Sequence, residues 1–245
     1  MAAPVYDNSA QVYSAANVSS LTTASWTIAG ADRYLVAGVC SGAGSPVDPT
    51  GCKWGGSGGT ALTKQGTTLT VNANLRASSF TLVAPTAQTS TLYCNWPSTQ
   101  DETALIGVSL TGVDQSTPLG TRVTATGTSL TPSVAATTAV DDLVVDIVWA
   151  GESLGGSPTL LVGLNQTSRQ EIEGAALTYA CMGMSTEVAT GASTTMSWAV
   201  TDATTPDWGL IALPVKPTTG GGGGGSAVTF YGHPLGRGIA GGLGF

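Results

Sequence analysis

No window of a dozen residues in this chain places apolar side chains at the 3.6-residue helical period without a breaker, which removes most folds at once. Threonine and glycine recur throughout, and both are poor helix formers. The chain offers instead a succession of short runs rich in β-branched and aromatic residues, each bounded by Gly, Pro, Asp or Ser. The clearest predicted strands are Arg33–Ser41, Leu75–Val83, Thr91–Trp96, Thr103–Gly112, Asp142–Ala150, Leu177–Ser185, Ser193–Val200 and Asp207–Val215. Weaker ones are Ala24–Ile28, Cys52–Gly55, Gln65–Val71, Gly120–Thr126, Thr131–Ala136 and Arg169–Ile172. This pattern predicts an all-β fold, an antiparallel two-sheet sandwich of jelly-roll type.

Alternation assigns faces in the best strand. In DLVVDIVWA, Leu143, Val145, Ile147 and Trp149 share one face, and Val144, Asp146 and Val148 the other. Both faces are apolar apart from Asp146, so this strand is expected at the centre of a sheet, covered on both sides. Asp146 reads either as a functional carboxylate or as an aspartate hydrogen-bonded to a neighbouring loop. No internal repeat stands out, because the spacing between LTGVDQSTPLG and DATTPDWGLIALPVK does not recur.

Six consecutive glycines, Gly220 to Gly225, divide the chain. The expected organisation is a sandwich domain over 1–217, a Gly-rich linker over 218–226 and an apolar, Gly-rich C-terminal arm over 227–245. The arm carries Phe230, Tyr231, Leu235, Ile239, Leu243 and Phe245 with no acid, so these are the candidate partner-binding residues. Burying six such side chains releases less free energy than ordering about twenty residues costs in backbone entropy. The arm therefore needs a partner that supplies backbone hydrogen bonds and surface, by addition to a sheet edge or by lying in a groove. A flexible linker of this length spans about 15–18 Å, enough to reach a neighbouring subunit. A low-complexity terminus without a partner is the alternative.

Charge excludes several classes. Only 9% of residues are charged, 42% are hydrophobic and the net charge is −7, which fits neither a disordered polyelectrolyte nor electrostatic capture of nucleic acid or an anionic membrane. The N-terminus has no basic segment followed by an apolar stretch, so no secretory signal peptide is expected. No run of eighteen apolar residues suggests a membrane span.

The single histidine, His233, lies beyond the glycines, so no catalytic triad is expected in the body. Glu171 and Glu173 share a strand face and are the best available carboxylate pair, though such a pair more often faces solvent. The GGSGG cluster lacks the context of a phosphate loop and reads as a turn. Asp48, Asp141 and Asp142 are the only acidic groupings that suggest a cation, and none follows a known calcium-loop pattern. No catalytic residue, metal ligand or cofactor is therefore expected. Of the four cysteines, Cys40 and Cys52 bracket a turn-rich segment and are the candidate disulfide; four buried thiols are the alternative. Trp54, within KWGGSGG, is the tryptophan expected at the surface, and the candidate glycan contact.

The segments SWTIAGADRYLVAGV, KWGGSGGTALTKQGT, LRASSFTLVAPTAQTSTLYCNW, LIGVSLTGVDQSTPLGT and DDLVVDIVWA together resemble β-sandwich structural proteins of tailed phages and related proteins of environmental bacteria. The shared elements are the GGTALT turn, a strand ending in LVAP, the SLTGVDQSTPLG segment and the DLVVD strand that follows. The resemblance covers about Ser25 to Lys216 and leaves the arm outside it. It implies a capsid-decorating, head-fibre or tail-associated protein and carries over no catalytic residue. The expected role is then a virion structural protein on the particle surface, assembled in the host cytoplasm. Its arm would bind other virion subunits, and homo-oligomers are expected. The alternative is an extracellular glycan-binding or adhesion module.

Overall fold

The computed structural model describes residues 1–42, 44–151, 158–173, 177, 180–201 and 205–219. Among them every regular element is a strand. The first half runs β1 (Val5–Ser14), β2 (Val18–Thr22), β3 (Trp26–Ile28), β4 (Tyr34–Gly42), β5 (Gly51–Trp54) and β6 (Thr60–Ala61). It continues through β7 (Thr63–Lys64), β8 (Leu69–Thr70), β9 (Leu75–Val83), β10 (Gln88–Ser90), β11 (Leu92–Gln100) and β12 (Glu102–Thr111). The second half is β13 (Val123–Thr128), β14 (Ser133–Thr137), β15 (Leu143–Gly151), β16 (Thr159–Val162), β17 (Thr167–Ile172), β18 (Ala180–Val188), β19 (Ser193–Thr201) and β20 (Asp207–Val215).

All named pairings are antiparallel, as expected, but the two-sheet sandwich occurs twice. In the first half an inner sheet, β1-β12-β4-β9-β7, is backed by an outer sheet, β2-β11-β5-β6. In the second half an inner sheet, β13-β20-β15-β18-β17, is backed by β14-β19-β16. The two inner sheets pack on each other. Tyr34, Val36, Ile106 and Val108 from one meet Val145, Ile147, Met182 and Ile211 from the other in a central apolar layer. Each inner sheet buries its second face against its own outer sheet, giving two further apolar layers. This explains why β4 and β15 are buried at every position and read as near-continuous apolar runs. The expected faces of β15 are realised: Leu143, Val145, Ile147 and Trp149 enter the central layer, Val144 and Val148 the outer one.

The halves repeat one topology. β1, β2, β4, β5, β7, β9, β11 and β12 correspond in pairing order to β13 through β20. Register agrees as well: Tyr34 pairs with Val83 and Leu110, and its counterpart Leu143 with Val188 and Val215. Asp32 (φ 49°) and Asp141 (φ 73°) both take the left-handed region two residues before the inner strand. The hydrogen bond from Ala84 N to Arg33 O (3.0 Å) recurs as Ala189 N to Asp142 O (2.8 Å). The repeat is thus structural, where the sequence showed none.

The inner sheets meet at equivalent positions. A Cβ placed on Gly38 would lie 2.9 Å from Ile147 Cγ2 and 2.8 Å from Met182 Cε. Gly38 and Ile147 occupy the same place in their respective halves, so each half meets its own counterpart there. Self-apposition of this kind marks a two-fold, isologous contact. Ile147 fills the space that glycine leaves.

Candidate functional site

The chain is tied to the body up to the linker. Val113 bridges to Pro217, Asp114 N donates to Lys216 O at 3.0 Å, and Thr218 N donates to Gly112 O at 2.8 Å. The partner-binding candidates Phe230, Tyr231, Leu235, Ile239, Leu243 and Phe245 lie outside the described residues. So do most of the linker and the whole arm.

Within the body, the outer sheet of the second half carries an apolar groove. In β16, Leu160 and Val162 turn toward the outer apolar layer, which leaves Leu161 on the other face, 60% exposed. Leu164, just past the strand, is 87% exposed, and Leu130, beside β14, 42%. Leu161 pairs with Ala199, and Ser197 pairs with Ser133, so the rest of this face consists of small side chains. Together with Thr131 and Pro132 they line a groove of about 390 Å³. Clustered exposed leucines beside a shallow groove are the usual mark of a contact surface. The sequence carries a signal for it in TLLVGL, which holds more apolar residues than a half-buried strand needs.

A second groove, about 400 Å³ and mixed in character, opens at the β17–β18 edge, with Asn165, Thr167, Arg169, Thr186, Glu187 and Thr190 beside Leu143 and Val188. Arg169 Nε donates to Thr186 Oγ1 at 2.8 Å, and its guanidinium lies 4.2 Å over the Tyr6 ring from the other half. Partial burial lowers the Arg169 pKa and raises that of Glu187. Glu187 Oε2 is buried with no hydrogen-bond partner among the described residues. A cation and an unsatisfied carboxylate oxygen in one opening can receive a small polar ligand, hydroxyl donors included. Arg169 reads in the sequence only as the start of a weak strand, and Glu187 does not stand out at all.

Two expectations are corrected. Trp54 is buried, 1% exposed, because β5 turns Cys52 and Trp54 together onto its inner face and Gly51 and Lys53 outward. Its Nε1 donates to Thr86 O at 3.1 Å, and its ring meets Trp26 edge-on with centroids 5.1 Å apart. It offers no platform for a sugar. The GGSGG segment after it is the expected turn, with Gly55 (φ 103°) and Gly56 (φ 77°) in conformations that favour glycine. Cys40 and Cys52 do not pair. The chain between them crosses from the inner to the outer sheet, so Cys40 faces the central layer and Cys52 the outer one. The sulfur beside Cys52 is that of Cys94, at 2.7 Å, and all four cysteines are free thiols here.

The acidic candidates are engaged structurally. Asp146 is fully buried; it accepts from Ser185 N and Oγ at 2.8 Å each, Trp198 Nε1 at 2.7 Å and Gln166 Nε2 at 3.4 Å. Ser185 and Trp198 belong to β18 and β19, while Gln166 lies in the loop between β16 and β17, so the expected neighbouring loop supplies one of the bonds and strands the rest. Asp48 pairs with Lys64, Asp141 with the N-terminal ammonium, and Asp142 caps Ala139 N. Glu173 accepts from Leu160 N at 2.6 Å, so the Glu171/Glu173 pair has one member already committed to the backbone. Among the described residues no three His, Cys, Asp or Glu side chains converge to hold a metal ion. No helix among them is long and apolar enough to cross a membrane.

No protein-family model matches the chain, and neither a curated protein nor a solved structure is detectably similar to it.

Proposed function

We propose that this protein is a structural subunit of a virus particle, of capsid-decorating or head-fibre type, whose C-terminal arm docks on a neighbouring copy. The observation that carries this reading is the apolar groove lined by Leu161, Val162 and Pro132, with exposed Leu164 two residues beyond Val162 in sequence, on the same chain as an apolar arm. One copy then supplies both halves of a contact. Such a head-to-tail contact is heterologous, so it closes into a ring or continues as an open array. Strand order adds support. In each half the first, eighth, third and sixth strands lie side by side, followed by the fifth, with the second, seventh and fourth opposite, an order that supports a jelly-roll reading without the fifth strand in its usual sheet. That architecture recurs in capsid domains, although fold alone does not give function. The resemblance to tailed-phage structural proteins points the same way.

The test is incorporation into particles. A chain ending at Thr219 keeps the Thr218–Gly112 hydrogen bond and should fold, yet be missing from purified particles by mass spectrometry. Leu161→Glu combined with Leu164→Glu should act in the same way. Normal incorporation of both variants would remove the proposal.

The groove at Arg169 and Glu187 favours a second reading, an adhesion module for glycans in which this groove takes the place first given to Trp54. A glycan array separates the two. Binding that Arg169→Ala abolishes supports the second reading; no binding to any sugar rejects it.

A further inference from the structure

We propose that Cys52 and Cys94 form an oxidisable pair, which closes into a cross-strand disulfide when the chain meets a disulfide-class oxidant, and that Cys40 and Cys181 stay thiols. Three independent placements support this.

The first is register. Cys52 and Cys94 are direct partners on the antiparallel strands β5 and β11. Gly55 N donates to Thr91 O at 3.0 Å, which makes Gly55/Thr91 a hydrogen-bonded pair. Bonded and non-bonded pairs alternate along such a ladder, so Lys53/Tyr93 is bonded and Cys52/Cys94 is not. Non-bonded pairs hold their Cα atoms closer, about 4.5 Å apart, inside the range a disulfide spans. The second placement is direction: both side chains turn into the same apolar layer, with Sγ atoms 2.7 Å apart. The third concerns the other two thiols. Cys40 lies in the central layer and Cys181 in the second half's outer layer, with the sheet that carries β18 between them.

The chemistry balances as two exchanges. One thiolate of the pair attacks an external disulfide, forming a mixed disulfide and releasing one small thiol. The second cysteine then attacks the protein sulfur of that mixed disulfide, and the other small thiol leaves. Two protein thiols are oxidised and one external disulfide is reduced. Cys52 is 1% exposed and Cys94 is fully buried, so the exchange needs the sheet open. Burial, with the second thiol beside it, also raises the Cys52 pKa well above the usual thiol range, which starves the native state of thiolate. The bond should therefore form during folding and only slowly afterwards. Once closed, it ties residues 42 positions apart in sequence and constrains the unfolded chain accordingly.

The experiment refolds the full chain in a mixture of oxidised and reduced glutathione, with a parallel sample in dithiothreitol. Each sample is denatured, alkylated and mapped by peptide mass. The expected result is two of the four cysteines protected in the glutathione sample, and one linked peptide pair containing Cys52 and Cys94. The oxidised protein should melt several degrees higher than the reduced one. Cys40→Ala should form the same bond, and Cys94→Ala should leave three alkylated cysteines and no melting shift. Four alkylated cysteines after glutathione refolding, or a linkage through Cys40 or Cys181, overturns the proposal.

Discussion

Asp146 accepts its four hydrogen bonds inside an apolar layer, and no ion pair reaches it among the described residues. Burial pushes its carboxyl up from 3.8 to about 6, against the pull of the Ser185 and Trp198 donors. The folded state therefore binds this proton more tightly than the unfolded chain does. The stabilisation is fully present below the unfolded pKa of 3.8 and lost as pH rises through about 6. A step of that size corresponds to roughly 3 kcal/mol. Asp146→Asn removes the titration and turns an amide N–H₂ toward donors, so it should destabilise by about 1–3 kcal/mol at pH 7. Thermal melts of both proteins across pH 4 to 6 check this. The advantage of the parent over the variant should shrink as pH rises, and a constant difference would show that Asp146 does not titrate there. The sequence located this carboxylate on a buried face. It could not show the four donors, because Gln166, Ser185 and Trp198 come from distant parts of the chain.

Strands were legible where burial on one or both faces leaves a pattern. Leu75–Val83 and Asp207–Val215 match their expected ranges, and β4, β12, β15 and β19 fall within a residue of theirs. β1 was missed because VYDNSAQVYS is an edge strand that mixes Asn, Ser and Gln with its few core contacts, Tyr6, Ala10 and Val12, and is held mainly by its backbone pairing to β12. β16 was missed because it is short and its run mixes inward and outward leucines. The duplication was invisible for a related reason. Only Val36/Val145, Val39/Val148 and Gly42/Gly151 are identical between the paired runs of β4 and β15, since a buried strand needs apolar volume more than particular residues. The Gly38–Ile147 apposition gives a test at this scale. Gly38→Val should cost about 1–3 kcal/mol by overpacking between the inner sheets. Combining it with Ile147→Ala should recover part of the loss, which denaturant melts of the two single variants and the double variant would reveal as non-additivity. Strict additivity would mean the two sites do not share that space.

The described body is a stack of two like sandwiches, each with its own apolar layer, joined through a third, so either half alone would leave one face of its inner sheet uncovered. This body carries the apolar groove on one outer face. The proposed function depends on what fills that groove. The sequence pointed to the arm through composition alone, and could not point to the groove, whose Leu161, Val162 and small residues come from β14, β16 and β19 and the loops beside them. The most direct test is sedimentation velocity of the full chain beside a chain ending at Thr219, both across a range of concentrations. The account predicts that the full chain self-associates as concentration rises and that the shortened chain sediments as a folded monomer throughout. Indistinguishable sedimentation of the two would contradict it.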